Sequence, residues 1–308
     1  MNHPDRVLII FPGALGDLIC LAPTMWALRR RHRAASLELM ARAELVRLAS
    51  GRLGIDRGES IDRREVGRLF IEAALDGPLH PFADYQRIYS FFGAENPTFR
   101  KMLSAAAVDA AVSFHPFRPT SAGHVASAYL ESVGEPATSI ERRIRLLDSD
   151  FKAADDELAR LGLDSGNFVL IFPGSGSPPK NWPFENFAAM ATRVARKIPV
   201  LFIIGPAEAE LGPRLASLGL PILSGLELPT VAAIAARSRL FVGNDSGVSH
   251  LAAAAGAPGI VIFGPTEPAR WRPLGEVEVI ARMPLAALDP GEVAAAVESL
   301  SGAARPNQ

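Results

Sequence analysis

Phe168-Val169-Leu170-Ile171-Phe172-Pro173-Gly174 reads as a short, wholly apolar strand that runs straight into a Pro-Gly turn. The same arrangement stands once before, at Arg6-Val7-Leu8-Ile9-Ile10-Phe11-Pro12-Gly13. A helical pattern follows each turn, carried by Leu18, Leu21, Met25 and Leu28 in the first case and by roughly Glu185 to Lys197 in the second. Strands that are apolar at every position, and not at alternate ones, belong to parallel sheets covered on both faces. Two such beginnings predict two α/β units.

The rest of the chain continues the alternation. In the first half, Ser36 to Met40, Arg87 to Phe91 and Val108 to Phe114 read as strands, and Glu44 to Ser50 as a helix. Asn96-Pro97 is an N-cap with proline at the first helical position, opening a short helix to about Ser104. In the second half, Pro199 to Ile204, Leu240 to Val242 and Gly259 to Phe263 are strands. Helices are expected near Ala207 to Ser217, Pro229 to Arg237, Ser246 to Ala255 and Pro290 to Leu300, with a polar tail that frays. The prediction is an α/β chain of two Rossmann-like domains, residues 1–150 and 151–308, joined through the charged segment Glu141 to Ser165. The final helix is free to pack back on the first domain.

Composition narrows the function classes. The chain has 308 residues, 48% of them hydrophobic and 21% charged, which is globular and long enough for two cores. A formal net charge of −1 gives no basic field for nucleic acid. Apolar runs such as Val200 to Ile204 are strand-sized and far short of a bilayer span. The polar start, Met1 to Asp5, shows no leader, and the single cysteine, Cys20, suits a reducing compartment. A cytoplasmic protein, or one at the cytoplasmic face of the inner membrane, is expected.

Three segments carry chemistry. In Pro173-Gly174-Ser175-Gly176-Ser177-Pro178-Pro179-Lys180, small residues let backbone N–H groups approach an anion, Ser175 can donate, and Lys180 brings a mobile charge. The loop lacks the Gly-Lys-Ser/Thr ending of a Walker A motif and the third glycine of a dinucleotide fingerprint. The second segment is Gly243-Asn244-Asp245-Ser246-Gly247-Val248-Ser249-His250, where Asn244 or Asp245 would cap a helix. The N–H groups of Ser246 and Gly247 would then form an anion site, with His250 on the same face. The third is Gly13-Ala14-Leu15-Gly16-Asp17, whose two glycines allow a tight strand-to-helix turn. Asp17 reads either as a cap or as a general base on an acceptor hydroxyl, ionised but weak at a helix start. The six histidines show no metal-ligand spacing, and no Asp-X-Asp occurs to hold a divalent ion on a diphosphate. Arg29-Arg30-Arg31-His32-Arg33 ends the first helix, a solvated end first and a contact to anionic lipid or acceptor phosphate second.

Together these segments resemble glycosyltransferase family 9, the heptosyltransferase family of lipopolysaccharide assembly. The resemblance is strongest at Gly13 to Asp17, at Pro173 to Pro183, and from Phe241 through His250 to Phe263-Gly264-Pro265-Thr266. It implies a GT-B fold, two Rossmann-like domains facing across a cleft, and an inverting transfer that needs no cofactor or tightly held metal. On that resemblance Asp17 is the catalytic base and Lys180 contacts the donor diphosphate. Asp245, Ser246, Gly247 and His250 form the donor-binding helix start, beside Ser175. Glu208 lies near the nucleotide ribose, with Glu210 an equally near alternative. The implied partners are a nucleotide-diphosphate-sugar, ADP-heptose foremost, and a glycan or glycolipid acceptor. Phe11-Pro12 departs from the more polar approach usual in the family, and Glu59 to Ser139 matches no acceptor-binding positions. Two other readings predict different behaviour: a sugar-nucleotide epimerase turns over donor alone, and a non-catalytic binding protein turns over nothing. A dehydrogenase lacks its glycine fingerprint.

Overall fold

A computed structural model of the chain describes residues 5–72, 80–137 and 143–302. Met1 to Pro4, Glu141 at the start of the charged segment and the tail after Gly302 lie outside the described residues. Internal contacts divide the chain into two compact units, residues 1–141 and 142–308.

The first unit is built on strands β1 (Arg6–Ile10), β2 (Ser36–Ala41), β3 (Arg57–Ser60), β4 (Arg87–Ser90) and β5 (Ala111–Phe114). They form one sheet in the order β3-β2-β1-β4-β5, with every pairing parallel. Its helices are α1 (Leu15–Arg31), α2 (Ala43–Ala49), α3 (Arg64–Arg68), α4 (His80–Ala83), α5 (Pro97–Ala106) and α6 (Val125–Ser132). Leu8, Ile10 and Ile88 of the central strands pack against Phe99, Met102 and Leu103 of α5. Asn96 caps α5 as its sequence predicts, accepting from the N–H of Phe99 at 2.9 Å with Pro97 in the first turn.

The second unit has six strands: β6 (Val169–Phe172), β7 (Val200–Ile204), β8 (Ile222–Ser224), β9 (Leu240–Asn244), β10 (Gly259–Phe263) and β11 (Val277–Ala281). The order is β11-β10-β9-β6-β7-β8, again with all pairings parallel. Its helices are α7 (Asp148–Arg160), α8 (Phe184–Val194), α9 (Gly212–Ala216), α10 (Leu228–Arg237), α11 (Gly247–Ala254), α12 (Pro268–Trp271) and α13 (Pro290–Gly302). Phe187, Met190 and Val194 of α8 and Val293 and Val297 of α13 share one core with Val169, Ile171 and Phe202. The closing helix therefore packs on α8 and the sheet of its own unit.

Several elements differ from the sequence reading, each for a physical reason. β3, β8 and β11 are sheet edges, and two of them are short or polar (Arg57-Gly-Glu-Ser60, Ile222-Leu-Ser224), so none shows the fully apolar run of a central strand. Much of the charged segment is the helix α7, which lays Ala154 and Leu158 inward and packs on α10. The strand expected from Val108 starts at Ala111, and Val108 itself is exposed. Ala207 to Ser217 is two pieces, a 3-10 turn over Pro206–Leu211 and then α9, because Gly212-Pro213 interrupts a continuous helix.

Candidate functional site

In each sheet the strand order reverses beside the first strand of the unit, between β1 and β4 and between β9 and β6. The carboxyl ends of strands at such a reversal diverge and leave a crevice where open α/β sheets bind ligands. All three segments singled out in the sequence leave these strands. Gly13 to Asp17 follows β1, Pro173 to Lys180 follows β6, and Asp245 to His250 follows β9.

In the second unit the two loops are bolted together. Asn244 is fully buried: its Oδ1 accepts from the N–H of Trp182 at 2.9 Å and its Nδ2 donates to the carbonyl of Pro173 at 2.9 Å. Trp182, also buried, anchors the far end of the loop on Phe187. Ser175 is a strut within that loop, with its Oγ 2.5 Å from Asn181 Oδ1 and 2.9 Å from the carbonyl of Ser177. Its hydroxyl is thus engaged internally.

The start of α11 corrects one expectation. Neither Asn244 nor Asp245 caps the helix, because β9 runs on to Asn244 and commits that side chain to the β6 loop. Ser246 is the cap, its Oγ accepting from the N–H of Ser249 at 3.4 Å. Ser249 in turn donates to the carbonyl of Asn244 at 2.7 Å, and a side chain at Gly243 would meet that hydroxyl at 2.6 Å. The first-turn N–H groups, which no helix can pair internally, are held at the crevice with the positive end of the helix dipole. His250 is buried in the second turn.

Lys180 ends a 3-10 turn, Pro178–Lys180, and its Nζ donates to Asp245 Oδ2 at 2.7 Å. Asp245 is almost wholly buried, and the same oxygen accepts from Thr266 Oγ1 at 2.6 Å. Near the end of β7, Glu208 lies beside the loop that follows β6. Its carboxylate accepts from the N–H of Gly205 at 3.0 Å and lies against Gly174, where any side chain would overlap it. Lys180, Asp245, Ser246, Gly247 and Glu208 thus gather around the ends of β6, β9 and β7. Thr266, quoted in the sequence but given no role there, joins them from the end of β10.

In the first unit Asp17 sits in the third position of α1 and accepts from the N–H of Ala14 at 3.1 Å, half of a capping box. A side chain at Gly13 would run into the ring of Phe11 and meet Asp17 Cβ at 2.8 Å. Phe11 is buried edge-on against Phe91, Phe117 and Tyr129, so an aromatic cluster underlies the turn. Gly16 lies inside the first turn of α1.

The arginine run is largely spoken for. Arg29 reaches the carbonyls of Gly54 and Ala35 and pairs with Asp56, and Arg31 reaches the carbonyl of Val133 and pairs with Glu135. These contacts fasten the end of α1 to the loops below it.

The sequence reading missed the buried Glu38 on β2. Burial would raise its pKa, but hydrogen bonds from Arg6, Arg57 and Tyr85 outweigh that and bring it down to about 2. A concavity of about 850 Å³ beside this cluster is lined by Arg6, Ser36, Arg57 and Tyr85. It lies at the amino edge of the first sheet, away from the strand ends that carry the motifs. Among the described residues no group of three or more His, Cys, Asp or Glu is placed to hold a metal ion, and no helix is long and apolar enough to cross a membrane.

Comparison with known proteins bears on the whole arrangement. Residues 122–289 match the profile of glycosyltransferase family 9 (heptosyltransferase). Lipopolysaccharide heptosyltransferase 1 of Escherichia coli K12 is 30% identical over 139 residues, which span 44% of each chain. The aligned part is thus under half the length of that curated relative. Among solved structures, a family 9 glycosyltransferase from Veillonella parvula superposes with a TM-score of 0.79 at 20% identity, covering 96% of this chain and 97% of that one. E. coli ADP-heptose lps heptosyltransferase II gives 0.73 at 20% identity, covering 96% and 98%.

Proposed function

Because the chain belongs to glycosyltransferase family 9, with the two parallel sheets of a GT-B fold, we propose that it transfers heptose from ADP-heptose to a lipopolysaccharide-core acceptor. The single observation that carries this reading is the convergence of Lys180, the α11 N-terminus and Glu208 around the strand reversal of the second unit. A diphosphate lies between the Lys180 ammonium and the N–H groups of Ser246 and Gly247. Asp245 and His250 form the same wall, the Ser175 loop closes one side, and Glu208 faces the ribose.

In the first unit Asp17 acts as base. The acceptor hydroxyl oxygen attacks the anomeric carbon as the bond from that carbon to the diphosphate oxygen breaks. The hydroxyl proton passes to Asp17, and ADP departs with the bonding pair. Asp17 Oδ2 already accepts from Ala14, so Oδ1 is assigned to the proton. Lys180 and the helix start oppose the charge that develops on the leaving diphosphate, which is where fixed charges lower a barrier most. A cytoplasmic location fits this chemistry, with the acceptor presented at the membrane face.

Nucleotide selectivity tests the reading. In a thermal-shift panel of ADP, UDP and GDP, ADP should raise the melting temperature most, since a ligand that binds only the folded state stabilises it. Preference for UDP or GDP would overturn the ADP-heptose assignment.

A further inference from the structure

We propose that Thr266 and Asp245 are positioning residues that aim Lys180, and that Asp245 serves the donor through the lysine. This rests on the reading of the site as a diphosphate grip. The observation is that ammonium and hydroxyl meet on one carboxylate oxygen: Lys180 Nζ stands 2.7 Å and Thr266 Oγ1 2.6 Å from Asp245 Oδ2.

The three residues come from three neighbouring strand ends. Lys180 follows β6, Asp245 follows β9 and Thr266 follows β10, which is the order of those strands in the sheet. Asp245 is fixed by its backbone as well, its N–H donating to the carbonyl of Ile262 on β10 at 2.9 Å. Its side chain is 5% exposed, whereas that of Lys180 is 31% exposed, so the carboxylate is the buried partner and the lysine the accessible one.

Charge decides the role. A diphosphate and a carboxylate repel, so direct contact between Asp245 and the leaving group would work against binding. An ammonium has three N–H donors. One is committed to Asp245, which leaves two for phosphate oxygens and fixes the direction in which they point. A lysine has a long, flexible stem, and holding it in one place removes an ordering cost that the ligand would otherwise bear. The Thr266 hydroxyl does the same for the carboxylate by selecting one rotamer. None of the three side chains achieves this alone.

A double-mutant cycle on ADP affinity tests the idea, using the full chain and calorimetry or ADP-dependent thermal shift. Thr266→Val should weaken ADP binding about tenfold, the lower end of what a hydrogen bond to a charged group is worth. In a Lys180→Met background the same substitution should cost nothing further, because the group that it aims is gone. Thr266→Ser, which keeps the hydroxyl, should bind like the wild type. Equal losses in both backgrounds would mean that Thr266 acts independently of the lysine, and would overturn the proposal. So would unchanged affinity in Thr266→Val, or a failure of serine to rescue. If Lys180→Met itself retains full ADP affinity, the diphosphate grip is wrong, and the positioning role falls with it.

Discussion

The proposed mechanism asks two things of Asp17, and its geometry is compatible with both. One oxygen accepts from Ala14 at 3.1 Å and so ties the helix start to the turn. Asp17→Asn keeps an oxygen for that contact but gives up the base. Transfer should fall by two orders of magnitude or more, in the range that general-base catalysis contributes (about 10²–10⁴). ADP binding, which the proposal assigns to the other unit, should be unchanged, and the helix should lose no more than a cap is worth, about 1 kcal/mol. Rate assays beside ADP titration of the same variant check this, and a parallel loss of both would show that Asp17 is only a structural cap. The sequence displays this residue and Lys180 clearly because each follows a glycine-rich turn after a strand. It does not display Thr266 as a partner of Lys180, since the pair is 86 positions apart and meets only through the strand order. Nor could it show that Asn244 is a crosslink and Ser246 the cap. Two extra residues of strand decide that.

At the scale of elements, the central strands and the edge strand β5 were legible, whereas the edges β3, β8 and β11 were not. A buried parallel strand must be apolar on both faces, and β1, β6, β7 and β10 are. An edge strand is under weaker demand, which is why Arg57–Ser60 carries two charges and escaped notice. A polar seam between elements also stayed hidden: His32 at the end of α1 is 2.9 Å from the hydroxyl of Tyr89 on β4, which stacks on His115. His115 bonds Ser113 Oγ at 2.8 Å and the carbonyl of Ser132 at the end of α6 at 2.9 Å. Burial lowers the pKa of both histidines, and nearby arginines, Arg87 among them, lower it further. Below an ordinary histidine pKa of about 6.5, the unfolded chain therefore takes up protons that the folded chain refuses. Stability should fall as pH drops from about 6.5 toward the lowered folded values, then level off. Melting temperatures measured from pH 8 to pH 5 should show this slope. His115→Asn should melt lower at pH 8 but with a flatter slope, and an unaltered slope would assign the acid sensitivity elsewhere.

For the whole molecule, the proposed mechanism divides the labour between two units with the same beginning. Each sheet reverses beside its first strand, and the proposed site residues follow the strands at that reversal: Asp17 in the first unit, the Lys180 loop in the second. The second unit explains itself almost wholly through local chemistry. Its buried Asn244 and Trp182 and its shared carboxylate oxygen fasten together the loops of the proposed anion site. The first unit offers Asp17 as the proposed base but no acceptor-binding residues, because the loops that follow β2 to β5 carry no motif with a fixed chemical meaning. Acceptor recognition of this kind depends on loop shape, which local patterns do not encode. The central claim, that a sugar moves from an ADP-linked donor to an acceptor, is tested most directly by measuring ADP release from ADP-heptose with and without lipopolysaccharide-core acceptor. ADP should form at the rate at which heptosylated acceptor appears, and only when acceptor is present. Donor turnover without acceptor, or binding with no ADP released in its presence, would contradict the account.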